Sequence, residues 1–407
     1  MKVLQINTTF QQGSTGKICK GILDQCEAVG IKSYIAYARA PRGQKLEENE
    51  ITVSSWWNHH IHNRLARMFM STGAFSFFHT KRFLRKIKQN KPDIIHLHNI
   101  HANFINLKLL FHFIKKEKIA IVWTLHDCWA FTGYCTHYSA VHCEKWKSLC
   151  SNCPNRYLDP VTLIDRSKAM YRKKKKMFCG IEKMKLVTPS NWLKQEVLNS
   201  FLQNYPVQVI NNGIDLGLFT PTDSNFREKY QINKEQFIVL GVAHAWGARK
   251  GLDAFLELSK RLDKSFKIVL VGTTDEIDQH LPDTIISIHR TQNQKELAEI
   301  YSASDLFVNP TIEDNFPTVN IEAIACGTPV LTYETGGSAE IIDNTCGCVV
   351  SQGNIEALEK EIIRIRDNRP YSQNSCLQRA QKYDMQLKFA EYIDLYKEIL
   401  RDRATTS

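Results

Sequence analysis

Apolar runs that contain many β-branched residues alternate along the whole chain with longer stretches of helical periodicity. In the first half, the apolar runs predict strands at Val3–Asn7, Asp93–His98, Ile119–Leu125, Lys185–Thr188 and Val207–Ile210. Helices are predicted from about Lys17 to Val29 and at Phe104–Lys116. Because strands that alternate with helices are typical of βα units, this half is predicted to be an α/β domain with a parallel sheet.

The same alternation returns after Asn211-Asn212-Gly213, a turn signal that polar, proline-containing sequence follows. The elements predicted there are strands at Phe237–Val242, Lys267–Val271, Leu306–Asn309 and Pro329–Tyr333, and helices at Leu252–Leu262, Glu296–Ser302, Ile321–Ala325, Ile355–Arg366 and Met385–Leu400. We predict one domain at residues 1–210, a second at 211–380, and a final helix at 381–407 that packs back on the first. Two doubly wound, Rossmann-like domains are expected to face a cleft, because open parallel sheets bind ligands outside the carboxyl ends of their strands.

The composition is typical of a protein with two hydrophobic cores. The chain has 407 residues, of which 43% are hydrophobic and 23% are charged. No apolar run approaches the length of a membrane span, and the first one, Val3-Leu4-Gln5-Ile6, is too short for a signal peptide, so a cytoplasmic location is predicted. The net charge of +11 favours nucleic acid, anionic lipid or phosphorylated substrates as partners without choosing among them.

Two acidic residues, Asp314 and Glu322, follow the predicted strand that ends at Asn309. Asp314 belongs to the loop after this strand, and Glu322 is expected about one turn inside the next helix. Carboxylates in such positions accept hydrogen bonds from sugar hydroxyls, and the helix N-terminus beside them attracts phosphate. The alternative is that Asp314 caps the helix and that Glu322 lies on a solvated face.

The segment from Glu313 to Ala323 resembles the acidic signature of the retaining glycosyltransferases of family 4, specifically their capsule and colanic-acid branch. The resemblance implies the GT-B fold of two Rossmann-like domains. It also implies that Asp314 lies near the transferred sugar and that Glu322 binds the ribose hydroxyls, with Asn315 and Phe316 in the same donor site. Asp replaces the first Glu of the family's pattern, and Asn and Pro replace its glycines, so Glu313 could substitute for Asp314.

A basic pair, Arg249-Lys250, precedes Gly251 and follows the first predicted strand of the second domain. In the similar enzymes a basic residue and a later Lys-Gly stand here, and their charge neutralises the donor diphosphate. Lys250 fits this pattern. His244 stands at the earlier basic position, so Arg249 could supply the second cation. The alternative to a donor-binding role is that Arg249 and Lys250 are ordinary exposed surface residues, as an isolated basic pair usually is.

Three further segments match the same family in order and spacing: Asn211-Asn212-Gly213-Ile214-Asp215, Pro189-Ser190-Asn191-Trp192, and Gly336-Gly337 before Glu340. With them, the resemblance extends over nearly the whole chain. In the first domain, Gly13 and Gly16 lie in a loop that opens a helix, where glycines let the backbone approach a ligand. The resemblance places this loop beside the donor phosphate and the acceptor.

His126 comes directly after the predicted strand Ile119–Leu125. A single histidine there is more often structural, but the family has a functional histidine at this strand end, which touches the donor sugar. His96 and His98 lie on another predicted strand and are expected to face opposite sides of it. We interpret one as a core residue and keep His98 as a weaker candidate.

The resemblance implies transfer with retention from a UDP- or GDP-linked sugar to a glycan or lipid-linked acceptor in surface polysaccharide biosynthesis. The departing phosphate can take the acceptor proton, so no catalytic metal or cofactor is expected, and the protein contributes positioning and positive charge. The alternatives are a sugar-nucleotide epimerase or phosphorylase of this fold, a nucleic-acid-binding protein, and an inert partner subunit. No phosphorylase lysine motif and no nucleic-acid recognition motif is found, so nucleic acid is not an expected partner.

Four cysteines, Cys135, Cys143, Cys150 and Cys153, crowd into one polar segment. A Cys-x2-Cys pair with two cysteines nearby can hold a structural zinc ion that orders a long loop. The spacing of the first three is not a standard pattern, so zinc and free or redox-active thiols are equal alternatives.

The stretch from Trp56 to Pro92 combines basic and aromatic residues and contains no acidic residue. Its basic residues are Arg64, Arg67, Lys81, Arg82, Arg85, Lys86, Lys88 and Lys91, and its aromatic residues include Trp56, Trp57, Phe69, Phe75, Phe77 and Phe78. Such a surface suits peripheral contact with an anionic membrane. Two ordinary helices with solvated faces are an equal alternative, as they are for the basic run Arg172–Lys176.

Overall fold

The computed structural model describes residues 1–41, 43, 45–55, 57, 61–62, 64, 66, 73–156 and 164–405. They form two compact units, the first comprising Met1–Asn211 with Lys388–Ser407 and the second comprising Asn212–Leu387. Each unit contains one fully parallel sheet whose strands are connected through helices. The predicted fold class of two Rossmann-like α/β domains is confirmed. None of the described helices combines the length and the apolar character that a membrane span requires.

The sheet of the first unit has seven strands in the order β3-β2-β1-β4-β5-β6-β7. Their bounds are β1 Lys2–Ile6, β2 Lys32–Tyr37, β3 Glu50–Thr52, β4 Ile94–Leu97, β5 Ala120–Thr124, β6 Met184–Thr188 and β7 Val207–Val209. Every residue of β4 and β5 is buried, as expected of central strands that are covered on both faces. Polar side chains just beyond these strands are therefore held on a rigid edge.

The first unit has five described helices before the chain passes to the second unit. They are α1 Gly13–Ala28, α2 Phe77–Asn90, α3 Leu107–Glu117, α4 Ser167–Phe178 and α5 Asn191–Leu198. Asn106 caps α3 by accepting the Leu109 N–H at 3.1 Å. Between helices and sheet, the ring of Phe178 lies with its centroid 4.6 Å from that of Phe111 and 4.9 Å from that of Trp123. These rings fill the space behind β5.

The sheet of the second unit has six strands in the order β10-β9-β8-β11-β12-β13. Their bounds are β8 Phe237–Val242, β9 Phe266–Val271, β10 Ile285–Ile288, β11 Leu306–Asn309, β12 Val330–Tyr333 and β13 Gly347–Val350. The helices are α6 Phe226–Lys229, α7 Leu252–Arg261, α8 Asp275–Asp278, α9 Gln294–Ala303, α10 Thr318–Ala325, α11 Ser338–Ile341, α12 Ile355–Asn368 and α13 Gln373–Ala380. Because β8 and β11 are neighbours in this sheet, the loops that follow them lie side by side.

The last helix, α14, spans Met385–Thr405 and belongs to the first unit from Lys388 onward. Its Phe389 ring lies so close to Gly21 of α1 that a Cβ added at Gly21 would be 2.0 Å from the ring. Its Tyr396 hydroxyl lies 2.6 Å from His96 Nδ1 in β4. Helix α14 is therefore a component of the first unit's core.

Candidate active site

In the second unit, Lys250 and Asp314 form an ion pair with 2.5 Å between Nζ and Oδ2. Lys250 ends a short 3-10 helix, Ala248–Lys250, in the loop after β8, and Asp314 lies in the loop after β11. The loops meet closely because Gly251 has a φ of +79° and lacks a side chain. A Cβ at Gly251 would be 2.3 Å from the Pro310 carbonyl oxygen. Two residues predicted from separate sequence motifs thus lie in direct contact.

The backbone of Arg249 holds the two loops in register. Its carbonyl oxygen accepts hydrogen bonds from the Ile312 N–H at 3.0 Å and from the Thr311 hydroxyl at 3.2 Å. Thr311 is completely buried. The position of Lys250 relative to Asp314 is therefore fixed by main-chain hydrogen bonds as well as by charge.

Asp314 does not cap the helix that follows it. Helix α10 starts after Pro317, with no side-chain hydrogen bond at its N-terminus. The neighbouring carboxylate, Glu313, is buried, whereas Asp314 is half-buried. It is Asp314 that contacts Lys250. Asn315 and Phe316 are also buried, and the Phe316 ring packs edge-on against a tyrosine of the same unit.

Glu322 is half-buried on α10 and accepts a hydrogen bond from the Tyr301 hydroxyl at 3.3 Å. Tyr301 is fully buried on α9, and its ring packs edge-on against Phe307. Burial, together with the charge of Glu322, raises the pKa of Tyr301 well above its usual value, so the phenol keeps its proton. Glu322 is thus an oriented carboxylate and not a residue of a solvated face.

A buried polar network fastens α10 to the sheet. Asn309 at the end of β11 donates to Asn320 at 2.7 Å, and Asn320 donates to the Ser338 hydroxyl at 3.0 Å. The hydroxyls of Ser338 and Thr332 lie 2.7 Å apart. The network joins two strand ends to the helix that carries Glu322, which restricts the movement of that carboxylate.

Three other residues predicted in the donor site lie at loops of the same unit. His244 is exposed in the loop that leads from β8 to Lys250. Gly336 has a φ of +51°, and Gly337 directly precedes α11. The two glycines directly precede Ser338, which takes part in the polar network.

In the first unit, His126 follows β5 and lies against His98, with 3.1 Å between His126 Nε2 and His98 Nδ1. His98 Nε2 lies 3.2 Å from Gln5 Oε1. The expectation that His96 and His98 face opposite sides is wrong, because residues two apart on a strand point to the same side. Their ring centroids are 3.9 Å apart.

Burial controls the charge of this histidine cluster. It lowers the pKa of His126 to about 4, and it lowers the pKa values of His96 and His98 well below the usual value. Burial alone would raise the pKa of the neighbouring Asp127, but His101 and the Trp129 N–H stabilise its charge and lower the pKa to about 2. At neutral pH the three clustered rings are therefore neutral beside one ionised carboxylate.

The loop of Gly13 and Gly16 is tightly folded at the start of α1. Gly13 has a φ of +66°, and a Cβ at Gly16 would lie 3.2 Å from the Gln11 nitrogen. Gln11 itself has a φ of +60°. The residues just before Gly13 line a cavity of about 490 Å³, to which the chain after β2, including Arg39, also contributes.

The four predicted zinc ligands line one small cavity of about 20 Å³. No disulfide joins them. The Cys135 thiol donates a hydrogen bond to Cys153, which lowers the pKa of Cys153, and Cys150 accepts the Gly133 N–H at 3.2 Å. Among the residues that the structure describes, no three His, Cys, Asp or Glu side chains are placed to hold a metal ion. Cys135, Cys143, Cys150 and Cys153 thus lie together in one cluster, and a structural zinc ion there stays a prediction.

Lys174, from the predicted basic run Arg172–Lys176, is completely buried next to this cluster. Its ammonium donates to the carbonyl oxygens of Trp129 at 2.6 Å and Thr132 at 3.1 Å, and it lies 3.7 Å from the Trp129 ring centroid. Burial lowers the pKa of Lys174 to about 7. This run is therefore not a uniformly solvated face.

Sequence reasoning missed Tyr301, Asn320 and Gln5. Their hydrogen-bonding partners are distant in sequence. The sequence feature that could have identified such residues is a polar residue within an apolar run. Gln5 lies inside the first apolar run, and Asn320 precedes Ile321 in the helix that carries Glu322. A buried polar side chain in such a run needs a hydrogen-bonding partner, which makes it a candidate for a positioning role.

Comparisons with known proteins agree with this architecture. Residues 21–218 match the model of Glycosyltransferase Family 4, and residues 222–383 match the model of Glycosyl transferases group 1. A protein of Escherichia coli K12, named as a colanic acid biosynthesis glycosyl transferase, is 22% identical over 98% of this chain and its own whole length. An N-acetylgalactosaminyltransferase of Campylobacter jejuni, named for a diphospho-undecaprenol substrate, is 25% identical over 47% of this chain and 54% of its own.

Solved structures share the fold over nearly the whole chain. Sucrose-phosphate synthase from Thermosynechococcus elongatus has a TM-score of 0.72 at 16% identity and covers 98% of this chain and 99% of its own. Anabaena HepE in complex with UDP has a TM-score of 0.71 at 15% identity, with 98% and 100% covered. Since the fold is shared and the two domain models match in succession along the chain, this protein belongs to the glycosyltransferases of the GT-B fold.

Proposed function

We propose that the protein is a retaining glycosyltransferase that moves a sugar from a UDP- or GDP-linked donor to a glycan or lipid-linked acceptor in surface polysaccharide biosynthesis. The observation that carries the proposal is the contact of Lys250 with Asp314, on a scaffold that also orients Glu322. A cation and two carboxylates held by neighbouring strand ends suit a ligand that contains a diphosphate, a ribose and a sugar.

Each of these side chains has a role in the proposed reaction. Glu322 accepts hydrogen bonds from the ribose hydroxyls, and Tyr301 keeps its carboxylate in place. Lys250, with Arg249 as the second cation, neutralises the diphosphate as the glycosidic bond breaks, because negative charge then develops on the leaving oxygen. Asp314 holds Lys250 before the donor binds and lies near the transferred sugar.

The proposed chemistry proceeds with retention and uses no metal. The bond between the anomeric carbon and the diphosphate oxygen breaks, and the acceptor oxygen bonds to the same face of the sugar. The acceptor hydroxyl proton passes to the departing phosphate oxygen. The protein then contributes positioning and electrostatic stabilisation.

The names of similar proteins support the substrate classes. The relatives include the E. coli protein named for colanic acid, a Klebsiella pneumoniae protein of a cps region that is 25% identical over 70% of this chain, and the C. jejuni enzyme named for a lipid-linked substrate. The Anabaena structures contain UDP, glucose or UDP-glucose. A polysaccharide-building transferase with a nucleotide-sugar donor agrees with all of these.

Screening tests the proposal directly. The full chain is incubated with UDP- and GDP-linked sugars and an undecaprenyl-diphosphate glycan, with and without EDTA, and the anomeric configuration of the product is determined by NMR. We expect turnover with one nucleotide series, an unchanged rate in EDTA and a retained configuration. An inverted product, or loss of turnover in EDTA that added metal restores, would contradict the mechanism.

His126→Ala is expected to lower kcat by about tenfold while the Kd of the nucleotide stays within about twofold, because the hydrogen bond that is lost is to the sugar. Stopped-assay turnover at saturating donor and calorimetric titration with the nucleoside diphosphate measure the two quantities. Equal losses in both would make His126 a structural residue of the first unit.

We further propose that α2 docks the first unit on an anionic membrane. Its buried face is Thr80, Phe83 and Ile87, whereas Phe78 is 81% exposed and Phe77 is 44% exposed. The basic side chains of its outer surface are Lys81, Arg82, Arg85, Lys86 and Lys88, all exposed. Trp56, Arg67 and Phe69 of the predicted stretch lie outside the described residues. Exposed phenylalanines rimmed by cations fit the interface of an anionic bilayer.

Co-sedimentation with anionic and neutral vesicles tests this docking. A variant with Arg82, Arg85, Lys86 and Lys88 changed to Ser should lose most of its binding to anionic vesicles, because each such residue contributes about 1 kcal/mol near the surface. The matched control changes the exposed Lys234, Lys264, Arg290 and Lys295 of the second unit to Ser and removes the same charge. Binding that ignores lipid charge, or that both variants lose equally, would refute the docking surface.

A further inference from the structure

We infer that Gln5 and His98 are positioning residues that hold His126 as the tautomer with its proton on Nε2 and its lone pair on Nδ1. Gln5 lies on β1, His98 directly after β4, and His126 after β5, so three adjacent strands contribute one residue each. Gln5 and His98 are buried. The inference rests on the proposed function only where it concerns the sugar.

The first step is the orientation of the Gln5 amide. Gln5 Nε2 donates to the Cys19 carbonyl oxygen at 3.0 Å. A carbonyl oxygen accepts hydrogen bonds and cannot donate, so the amide nitrogen must face Cys19 and the amide oxygen must face the other way. The orientation of this side chain is therefore determined by the backbone of α1.

The second step is the tautomer of His98. Its Nε2 lies 3.2 Å from Gln5 Oε1, which is an acceptor, so Nε2 carries the hydrogen. In a neutral imidazole the other nitrogen, Nδ1, then has the lone pair. His126 Nε2, which lies 3.1 Å from this lone pair, must be the donor. Nδ1 of a neutral His126 is consequently an acceptor.

The surroundings keep the cluster neutral. His96 lies beside His98, while Asp127 and His101 lie near His126, and the Tyr396 hydroxyl of α14 bonds to His96. The carboxylate beside His126, that of Asp127, already pairs with His101 at 2.9 Å. Burial lowers the pKa of each of the three clustered histidines, and neighbouring histidines lower it further, while Asp127 opposes this effect at His126.

His96 offers an internal contrast. Its two nitrogens face the hydroxyls of Tyr396 at 2.6 Å and Thr124 at 2.8 Å. A hydroxyl can donate or accept, so these partners do not impose one tautomer. In the hydrogen bonds from Gln5 through His98 to His126, by contrast, the donor and the acceptor are fixed at each step.

For the proposed transfer, a fixed acceptor nitrogen has a definite chemical meaning. Nδ1 of His126 accepts a hydrogen bond from a hydroxyl of the transferred sugar. It carries no proton that it could donate to the leaving group. Sugars that present a hydroxyl at this position are favoured over deoxy or fluoro analogues, because neither analogue can donate to Nδ1. Gln5 and His98 act on this specificity through His126 alone.

Two-bond ¹H–¹⁵N correlation spectra of the full chain, labelled with ¹⁵N-histidine at neutral pH, test the inference. His126→Ala identifies the His126 signals. We expect wild-type His126 to show the Nε2–H pattern, and Gln5→Met to shift it towards a mixture of tautomers and to lower kcat about five- to tenfold, the contribution of one hydrogen bond. The matched control is Thr124→Val, which alters a partner of His96 and should leave the His126 pattern unchanged.

An Nδ1–H pattern or an imidazolium at wild-type His126 would overturn the inference even if Gln5→Met failed to fold. An Nε2–H pattern that Gln5→Met leaves intact, in a variant with a normal thermal midpoint, would also overturn it. The proposed function is tested separately, because the spectra need no donor or acceptor. If the tautomer is as inferred and His126→Ala transfers normally, the sugar contact is wrong and the positioning stands.

Discussion

Lys250→Ala is expected to lower kcat by about 10²- to 10³-fold, the effect of removing one positioned group that stabilises developing negative charge. The side chain of Lys250 is about one-third exposed, and the loop is also held by the carbonyl of Arg249. The thermal midpoint should therefore change little. Turnover at saturating donor and differential scanning calorimetry measure the two effects.

Lys250→Arg and Lys234→Ala complete the experiment. Arginine keeps the charge but presents a planar fork where Asp314 now meets a compact ammonium, so partial activity is expected. Lys234 is exposed in the same unit, and its removal should leave kcat unchanged. Near-normal turnover of Lys250→Ala at saturating donor would show that this lysine does not neutralise the diphosphate.

Glu322→Ala is expected to abolish measurable transfer and to weaken nucleotide binding by about 10- to 100-fold. Hydrogen bonds to a charged group contribute about 1.5–3 kcal/mol, and the variant also leaves the buried Tyr301 hydroxyl without this acceptor. Calorimetric titration with UDP and GDP measures the affinity. This loss of nucleotide affinity should distinguish Glu322→Ala from His126→Ala, which is expected to lower kcat without it.

The graded series Glu322→Gln and Tyr301→Phe separates contact from positioning. Glutamine keeps one acceptor oxygen and should lose less affinity than alanine. Tyr301→Phe removes the hydroxyl that orients the carboxylate and should raise the donor KM severalfold with a smaller change in kcat. An unchanged nucleotide Kd in Glu322→Ala would place the ribose elsewhere on the second unit.

The strands that are buried on both faces could be predicted from the sequence, because such strands are continuous apolar runs. The strands β2, β3, β10 and β13 were not predicted; β3, β10 and β13 are edge strands, and β2 pairs with the edge strand β3. In β2, Lys32–Tyr37 mixes exposed Lys32 with buried residues, β3 has only three residues, and β13 begins with Gly347. Their pairing depends on a neighbouring strand more than on their own composition.

The candidate site was predictable where a motif names its residues, as for Lys250 and Asp314. It was not predictable where the partner is distant in the chain. Tyr301 lies 21 positions from Glu322, and Gln5 lies 93 positions from His98. Spacing carries no information about such pairs, and only the folded sheet brings them together.

The cysteine cluster shows a related limit of spacing. Cys150 and Cys153 have the right spacing for a metal knuckle, but spacing does not determine where each sulfur points. In the folded chain Cys150 accepts a backbone N–H, and Cys153 accepts from the thiol of Cys135. The local packing around Lys174 and Trp129 could not be read from the order of residues.

During synthesis, the second unit can be completed before the first. Asn212–Leu387 is one continuous segment, whereas the first unit also needs residues from Lys388 onward. Until these residues leave the ribosome, Gly21 lacks the ring of Phe389, and His96 lacks the hydroxyl of Tyr396. Because domains generally fold as units while the chain emerges, the nascent first unit leaves His96 and the surface around Gly21 uncovered until α14 has emerged. We expect a chaperone to bind this uncovered surface during that interval.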